Sequence, residues 1–293
     1  MDQQVFLGVS WGKLLTYLKR NSGMDLDMGD YYNMVLSFVY DYIPDPPVSP
    51  IATLSLSGLP WVPDSVDRIS CLPDKVLHNI VSRLPTKDAA RTASLDSRWR
   101  PLWRSVPLAL VDSHLLPVPD GGACGQLIFG GPSPRAVTAA VSRILVAHPG
   151  PFRCVHLTRT TMDEHRGEMA RWLDTLVAKG VQELVFVNRP WPLDLRLPAT
   201  LFSCASLTRL YLGIWRLPES TTVPRGARFP NLRELGLCMI AMKDRDLAFL
   251  LERSPVLEFL LMRPRLFSVD WRGLQRINPA RPRVPANTLW PIW

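Results

Sequence analysis

The clearest feature of the chain is an apolar motif that recurs five times between residues 152 and 262. Each copy has apolar residues in the order L-x-x-L-x-L, and the copies begin at Phe152, Val181, Leu207, Leu232 and Leu257. The starts lie 29, 26, 25 and 25 residues apart, a spacing typical of stacked repeats. Alternating apolar residues favour a strand, so the motif predicts one parallel strand per repeat.

Apolar residues at helical spacing separate some of these strands. They occur at residues 169–177, between the first two copies, and at residues 247–251, between the last two. The fold class predicted for residues 133–262 is therefore a short, irregular α/β solenoid of leucine-rich repeats. The asparagine that many such repeats place after the strand is missing, and Trp215 stands at that place in the third copy.

Strand alternation predicts which side chains point outward, away from the connecting helices. Arg209, Tyr211 and Glu234 fall on this outward face in the third and fourth copies. The face mixes acidic, basic and apolar groups and has no uniform basic stripe. We predict that a protein substrate binds around these three residues, and the alternative that no ligand touches them stays open.

Ahead of the repeats, residues 67–104 have the spacing of three short helices. Pro73 stands where the start of a helix tolerates proline, and apolar residues recur at helical spacing over residues 76–84 until Pro85. Thr86 is predicted to be the N-cap of the second helix. Three short helices bury little surface of their own, so we expect this unit to need a partner.

Three stretches of this unit carry a more specific sequence motif than helical spacing alone. They are DRISCLPDKVL at residues 67–77, SRLPTKDAART at 82–92 and RWRPLW at 98–103. They resemble the F-box, in the plant type that precedes leucine-rich repeats and, in some members, an FBD region. The resemblance implies a small all-α unit that docks on the Skp-type adaptor of an SCF (Skp–cullin–F-box) ubiquitin ligase and, through it, on a cullin. The positions that match the family's adaptor-binding motif are Leu72, Pro73, Val76, Ile80, Leu84, Pro85 and Trp99.

The resemblance implies a function without chemistry of its own. We expect the chain to be a substrate-recognition subunit that holds a protein for ubiquitination, in the nucleus, the cytoplasm or both. The alternative is a non-catalytic repeat scaffold that acts outside a ligase, as a shortened member of the family. The five histidines are scattered and the five cysteines match no zinc pattern. We therefore predict no enzymatic activity, no metal site and no cofactor.

The positive charge of the chain is concentrated at its carboxyl end. The chain has a net charge of +8, and residues 263–293 alone contribute six arginines against one acidic residue. These arginines stand among prolines with no folded motif around them, so nucleic-acid binding is the less favoured interpretation. We predict a poorly ordered basic tail, which either folds over the last repeat or marks a shortened product.

Proline and glycine clusters divide the chain into five parts. They are an amino-terminal extension and linker at 1–63, the F-box at 64–110, a linker at 111–132, the repeats at 133–262 and the tail at 263–293. Within the extension, helical spacing at residues 11–18 and 31–42 predicts two short helices that pack on the main body. The apolar stretches are shorter than the ~18 residues of a membrane span and no secretory signal is found, so we expect an intracellular protein without a membrane partner.

Overall fold

A six-stranded parallel sheet is the centre of the computed structural model, which describes residues 5–6, 9–10, 36–48, 67–115, 134–160, 166–189, 195–219 and 221–263. The sheet strands are β3 (Leu108–Val111), β4 (Phe152–Leu157), β5 (Glu183–Val187), β6 (Arg209–Gly213), β7 (Glu234–Cys238) and β8 (Phe259–Arg263). They lie side by side in the order of the chain. A separate antiparallel pair joins β1 (Val5–Phe6) to β2 (Val9–Ser10).

Each of the five predicted repeat strands is present, so that prediction is confirmed. The sixth strand, β3, was not predicted, because its short apolar run lacks the L-x-x-L-x-L motif. It pairs in parallel with β4, although it falls within the last residues of the predicted F-box. Strand β3 therefore belongs both to the end of the predicted F-box and to the sheet of the repeats.

Residues 36–40 are helical, and six further α-helices accompany the sheet in the described ranges. They are α1 (Asp74–Ser82), α2 (Thr86–Thr92), α3 (Trp99–Ser105), α4 (Pro134–Ala147), α5 (Arg166–Ala178) and α6 (Asp244–Glu252). The predicted helices at 67–104, 169–177 and 247–251 are confirmed. Helix α4 was missed, although Val137, Val141 and Leu145 repeat every four residues and were a usable signal.

The prediction that Thr86 caps α2 is wrong. Pro85 occupies the cap position, and no side chain accepts a hydrogen bond there. The Thr86 hydroxyl instead donates to the backbone carbonyl of Ala109 in β3, over 2.7 Å and in a buried position. A tertiary partner outcompetes the local one, and the bond ties the second helix to the first strand of the sheet.

One apolar core joins the three-helix unit to the repeats. It runs from Leu77 and Trp99 through Leu108 to Phe152 and the later strands. Part of the predicted linker at 111–132 is also structured, because Asp112–Leu115 forms a 3₁₀ turn directly after β3. The predicted helix at 31–42 is confirmed over residues 36–40. The predicted helix at 11–18 and nearly all of the predicted tail lie outside the described residues.

Trp215 takes over the role of the missing asparagine. Its indole N–H donates to the carbonyl of Phe186 in the preceding repeat, over 2.9 Å. The two rings stack with their centroids 4.6 Å apart, and Trp215 has no exposed surface. One side chain thus supplies both a hydrogen bond and apolar packing between adjacent repeats.

Candidate functional site

Six of the seven predicted adaptor-binding residues lie on α1 and on the turns at its two ends, and the seventh, Trp99, is the first residue of α3. Leu77 and Val81 of α1 face the core and are fully buried, whereas Val76 is exposed. The predicted residues with side chains wholly or partly open to solvent are Leu72, Pro73, Val76, Ile80, Leu84 and Pro85. Pro73 and Val76 are the exposed members, and Leu72, Ile80 and Leu84 also pack in part against the core. Apolar side chains left open on a short helix suit docking into a partner's groove.

Trp99 differs from the other six. Its side chain is only 3% exposed, and its indole N–H donates to the Ser70 hydroxyl over 3.0 Å. Ser70 precedes Leu72 and Pro73, so Trp99 supports that turn from inside the unit. We expect its effect on adaptor docking to be indirect.

Arg98 is a positioning residue that the sequence analysis did not single out. Its guanidinium donates to the carbonyls of Ser70 and Leu72 and to the Asp74 carboxylate, with Nη2 2.7 Å from the Leu72 oxygen. These bonds hold the turn before α1 in one conformation. Arg98 lies in the RWRPLW stretch. Its role rests on hydrogen bonds, and the spacing of apolar residues gives no information on these.

Two further apolar residues of the three-helix unit are exposed. Ile69 is 57% exposed and Leu95 is 66% exposed, and both belong to the three-helix unit. Neither was predicted as a contact. Leu95 has the helical spacing of the third segment, but it lies in the turn before α3, which begins at Trp99. Exposed large apolar side chains grouped on a small unit indicate an interaction site.

The predicted substrate residues form one connected cluster on the outward face of the sheet. The strand register aligns Arg209 with Glu183 on one side and with Glu234 on the other. The Arg209 guanidinium lies 3.6 Å from a Glu183 oxygen and 3.2 Å from a Glu234 oxygen. These charges are paired with each other, and a ligand would have to compete for them.

Tyr211 is the buried member of the cluster. Its hydroxyl donates to Glu234, and only 5% of the residue is exposed. Burial and the neighbouring Glu234 carboxylate raise the pKa of Tyr211. Its ring lies against Gly236 of the next strand, where a Cβ atom would come 2.6 Å from the ring carbon Cε1. Tyr211 therefore depends on glycine at 236 for its position.

This dependence predicts the effect of Gly236→Ala. The added methyl group would displace the Tyr211 ring and weaken its bond to Glu234, so we expect a loss of about 1–3 kcal/mol in the free energy of unfolding, measured by urea denaturation. Gly226→Ala is the matched control, because a Cβ there meets nothing within 4 Å. Equal denaturation midpoints for the two variants would contradict this placement of Tyr211.

Residues 36–48, which we call the strap, cover much of the outward face. Val39 is fully buried and faces Gly213 of β6, and the Tyr42 ring meets the Tyr211 ring edge-on at 6.4 Å between centroids. The prediction that the amino-terminal extension packs on the main body is confirmed for the strap. As a result, Arg209 is the open member of the predicted substrate site, whereas Tyr211 is covered.

The strap is anchored over the first strands as well. The Tyr40 hydroxyl donates to the Thr158 carbonyl over 2.8 Å, and the Arg159 guanidinium lies 4.4 Å from the centre of the Tyr40 ring. At the other end of the strap, Val48 belongs to a small buried cluster with Ala109, Val111 and Cys154. The sequence alone could not show this, because the partners are more than 50 residues away along the chain.

Cys154 and Cys204 are buried thiols, whereas Cys71 is exposed. Within the described residues, no three His, Cys, Asp or Glu side chains come close enough together to hold a metal ion. Burial raises the pKa of the Cys154 thiol to about 12 and also raises that of Cys204, so neither is a ready nucleophile. The helices of the described ranges are all too short or too polar to cross a membrane.

Comparison with known proteins finds two family matches. Residues 69–110 match the F-box domain, and residues 169–278 match the family described as "FBD-associated F-box protein At5g56370, LRR repeats". The first match covers the three helices and most of β3. The second covers the repeats from α5 onward.

Curated relatives agree with both matches. F-box/FBD/LRR-repeat protein At1g13570 of Arabidopsis thaliana is 30% identical over 197 residues, which cover 67% of this chain and 44% of that protein. F-box/LRR-repeat protein At3g26922 of the same plant is 29% identical over 220 residues, with 72% of this chain and 66% of the relative covered. FBD-associated F-box protein At4g13985, also from that plant, is 31% identical over 208 residues, covering 67% and 42%.

The chain spans between about two fifths and two thirds of the length of these relatives. No solved structure matches it significantly. The family matches fall on the two parts of the chain whose motifs pointed to them, and the resemblance found in the sequence is confirmed. This chain belongs to the F-box proteins with leucine-rich repeats, in the FBD-associated group.

Proposed function

We propose that this chain is the substrate-recognition subunit of an SCF ubiquitin ligase, active in the nucleus, the cytoplasm or both. The F-box would dock on a Skp-type adaptor that carries the cullin, and the repeats would bind a protein substrate. The observation that carries the proposal is the set of six accessible apolar residues, from Leu72 to Pro85, on a unit that matches the F-box.

The apolar surface of the F-box suits a partner's groove. Val76 and Ile80 lie one turn apart on α1, next to the turn that holds Leu72. Each side chain that enters the groove contributes about 25 cal/mol per Å² of apolar surface removed from water. Because Arg98 already fixes the turn at Leu72, little ordering remains to oppose docking.

The junction between F-box and repeats favours a role in positioning. The Thr86 hydroxyl bonds to β3, and the Trp103 ring packs on His148 with centroids 4.8 Å apart. Such a packed junction would keep the substrate at a fixed distance from the adaptor. The contribution to ubiquitin transfer would then be proximity, with no catalytic group supplied by this chain.

We also propose that the repeats form a short, irregular solenoid. Support comes from the five repeat strands β4 to β8, which lie in chain order and begin at Phe152, Glu183, Arg209, Glu234 and Phe259. A solenoid presents a continuous strand face, which suits an extended partner.

Combining Leu72→Ala with Pro73→Ala tests adaptor docking. We expect co-purification of a Skp-type adaptor with the full chain to fall at least ~10-fold, since two apolar contacts at the centre of the surface are lost. Val146→Ala is the matched control, because Val146 is an apolar residue of α4 that is 83% exposed and lies outside the F-box. Adaptor recovery that is unchanged in the double variant would refute docking through this surface.

The same purification separates a ligase subunit from a scaffold that acts elsewhere. A ligase subunit should bring down a cullin together with the adaptor, and both should be lost in the double variant. Adaptor without cullin would favour the scaffold.

A further inference from the structure

We propose that the outward face of the sheet from β4 to β6 is a peptide-binding surface, and that the strap occupies it in cis as a pseudo-substrate. The inference rests on the proposed function, because it concerns the face through which the repeats would bind a substrate. It names the class of substrate: a short segment with a β-branched residue next to tyrosine, as in Val39-Tyr40-Asp41-Tyr42 of the strap.

A glycine in β6 makes room for the β-branched side chain. A Cβ atom at Gly213 would come 2.8 Å from a methyl carbon of Val39, so another residue at 213 would push Val39 away from the sheet. Glycine inside a strand often marks the close approach of another chain segment. Val39 has no exposed surface in this seat.

The tyrosine next to Val39 is recognised by polar groups. The Thr158 carbonyl accepts its hydroxyl hydrogen, and the Arg159 guanidinium covers its ring. Burial raises the pKa of Tyr40, which keeps the hydroxyl protonated as a donor, although the charges of Arg189 and Arg159 act in the opposite direction.

Side chains, rather than strand pairing, hold the strap on the sheet. The backbone N–H groups of Asp41, Tyr42 and Ile43 bond to carbonyls within the strap itself. In the described residues the sheet has six strands, none of them from the strap. The strap could therefore leave and a peptide take its place without breaking any strand pairing.

Two cysteines on opposite faces of the sheet can report this exchange. Cys154 is buried beneath the strap beside Val48, and its thiol has a pKa near 12 because of burial. Cys204 is buried in the core between the repeats, where its sulfur lies 3.8 Å from the Val181 carbonyl. Release of the strap should expose Cys154 and leave Cys204 protected.

The test uses the full chain with Val39→Asp, whose buried carboxylate would force the strap off the sheet. Alkylation by iodoacetamide is followed at each cysteine by peptide mass spectrometry. We expect Cys154 to react at least ~10-fold faster than in the unchanged protein, and Cys204 to react at the same rate. Tyr40→Phe, which removes one hydrogen bond, should raise the Cys154 rate by up to ~10-fold.

A fluorescent synthetic peptide of residues 36–48 then tests the surface itself. By fluorescence anisotropy, it should bind the Val39→Asp chain at least ~10-fold more tightly than the unchanged chain, in which the strap competes. The same peptide with Val39→Asp should bind neither protein.

Three outcomes would overturn the inference. An unchanged Cys154 rate in both variants would mean that the strap does not protect this face by docking through Val39 and Tyr40. Equal increases in the alkylation rates of Cys154 and Cys204 in both variants would mean that releasing the strap unfolds the core as a whole. A faster Cys154 without peptide binding would exclude a pseudo-substrate. Adaptor recovery from the Val39→Asp chain tests the proposed function separately, because the described contacts of the strap are with the sheet and the residues that follow its strands.

Discussion

Replacing Trp215 by alanine is expected to lower the free energy of unfolding by about 3–5 kcal/mol, the range for a large buried aromatic residue. The change removes a ring stacked 4.6 Å from the Phe186 ring and leaves a cavity between two repeats. It also removes the donor to the buried Phe186 carbonyl, which then has no partner from this side chain. Urea denaturation followed by circular dichroism measures the loss.

Two variants control for this result. Trp215→Phe keeps an aromatic ring but lacks the indole N–H, so its loss should be smaller, about 1–3 kcal/mol. Val146→Ala changes an exposed side chain and should stay within about 0.5 kcal/mol of the unchanged protein. If Trp215→Ala behaved like Val146→Ala, the indole could not be the link between these repeats.

Asp112→Ala is expected to be similarly destabilising, by about 3–5 kcal/mol, because several buried donors lose their acceptor at about 1–3 kcal/mol each. Asp112 directly follows β3 and is completely buried. Its carboxylate accepts hydrogen bonds from the backbone N–H groups of Arg159 and Thr160, at 2.6 and 3.1 Å, and from the hydroxyls of Thr158 and Thr160, at 3.2 and 3.1 Å. Burial raises the pKa of Asp112, and these donors oppose the rise. Alanine would leave the donors unsatisfied whatever the protonation state of the acid.

Asp88→Ala is the control for Asp112→Ala. Asp88 forms an exposed ion pair with Arg91, 3.0 Å apart within α2, and such pairs contribute little. Asp112→Asn keeps one acceptor oxygen and should fall between the two. Equal stability of Asp112→Ala and Asp88→Ala, measured by urea denaturation, would rule out an anchoring role for the buried carboxylate.

Asp112 also connects the fold to the strap. The residue it holds, Thr158, presents the carbonyl that accepts the Tyr40 hydroxyl. We therefore infer that the position of the strap depends on the order of the segment after β4. A substitution that disorders the residues after β4 would therefore weaken both the sheet and the attachment of the strap to it.

The outward direction of Arg209, Tyr211 and Glu234 could be read from strand alternation, and the register places them in one cluster. Their environment could not be read in this way. Tyr211 is almost completely buried although it points outward, because the strap covers it and Glu234 accepts its hydroxyl hydrogen. Strand alternation predicts the face of the sheet to which a side chain points. Its burial depends on which other part of the chain covers that face.

The apolar sequence by itself determined the repeat strands and the helices at 67–104, because two-residue and 3.6-residue periods are local properties of a chain. The family followed from the resemblance of the stretches at 67–77, 82–92 and 98–103 to the F-box. Tertiary structure alone decided that β3 is the first strand of the sheet, that Thr86 bonds to Ala109, and that the strap lies on the predicted substrate face. The bond from Tyr40 to Thr158 joins residues 118 positions apart. No local pattern encodes such a pairing, since it depends on how distant side chains fit once the sheet exists.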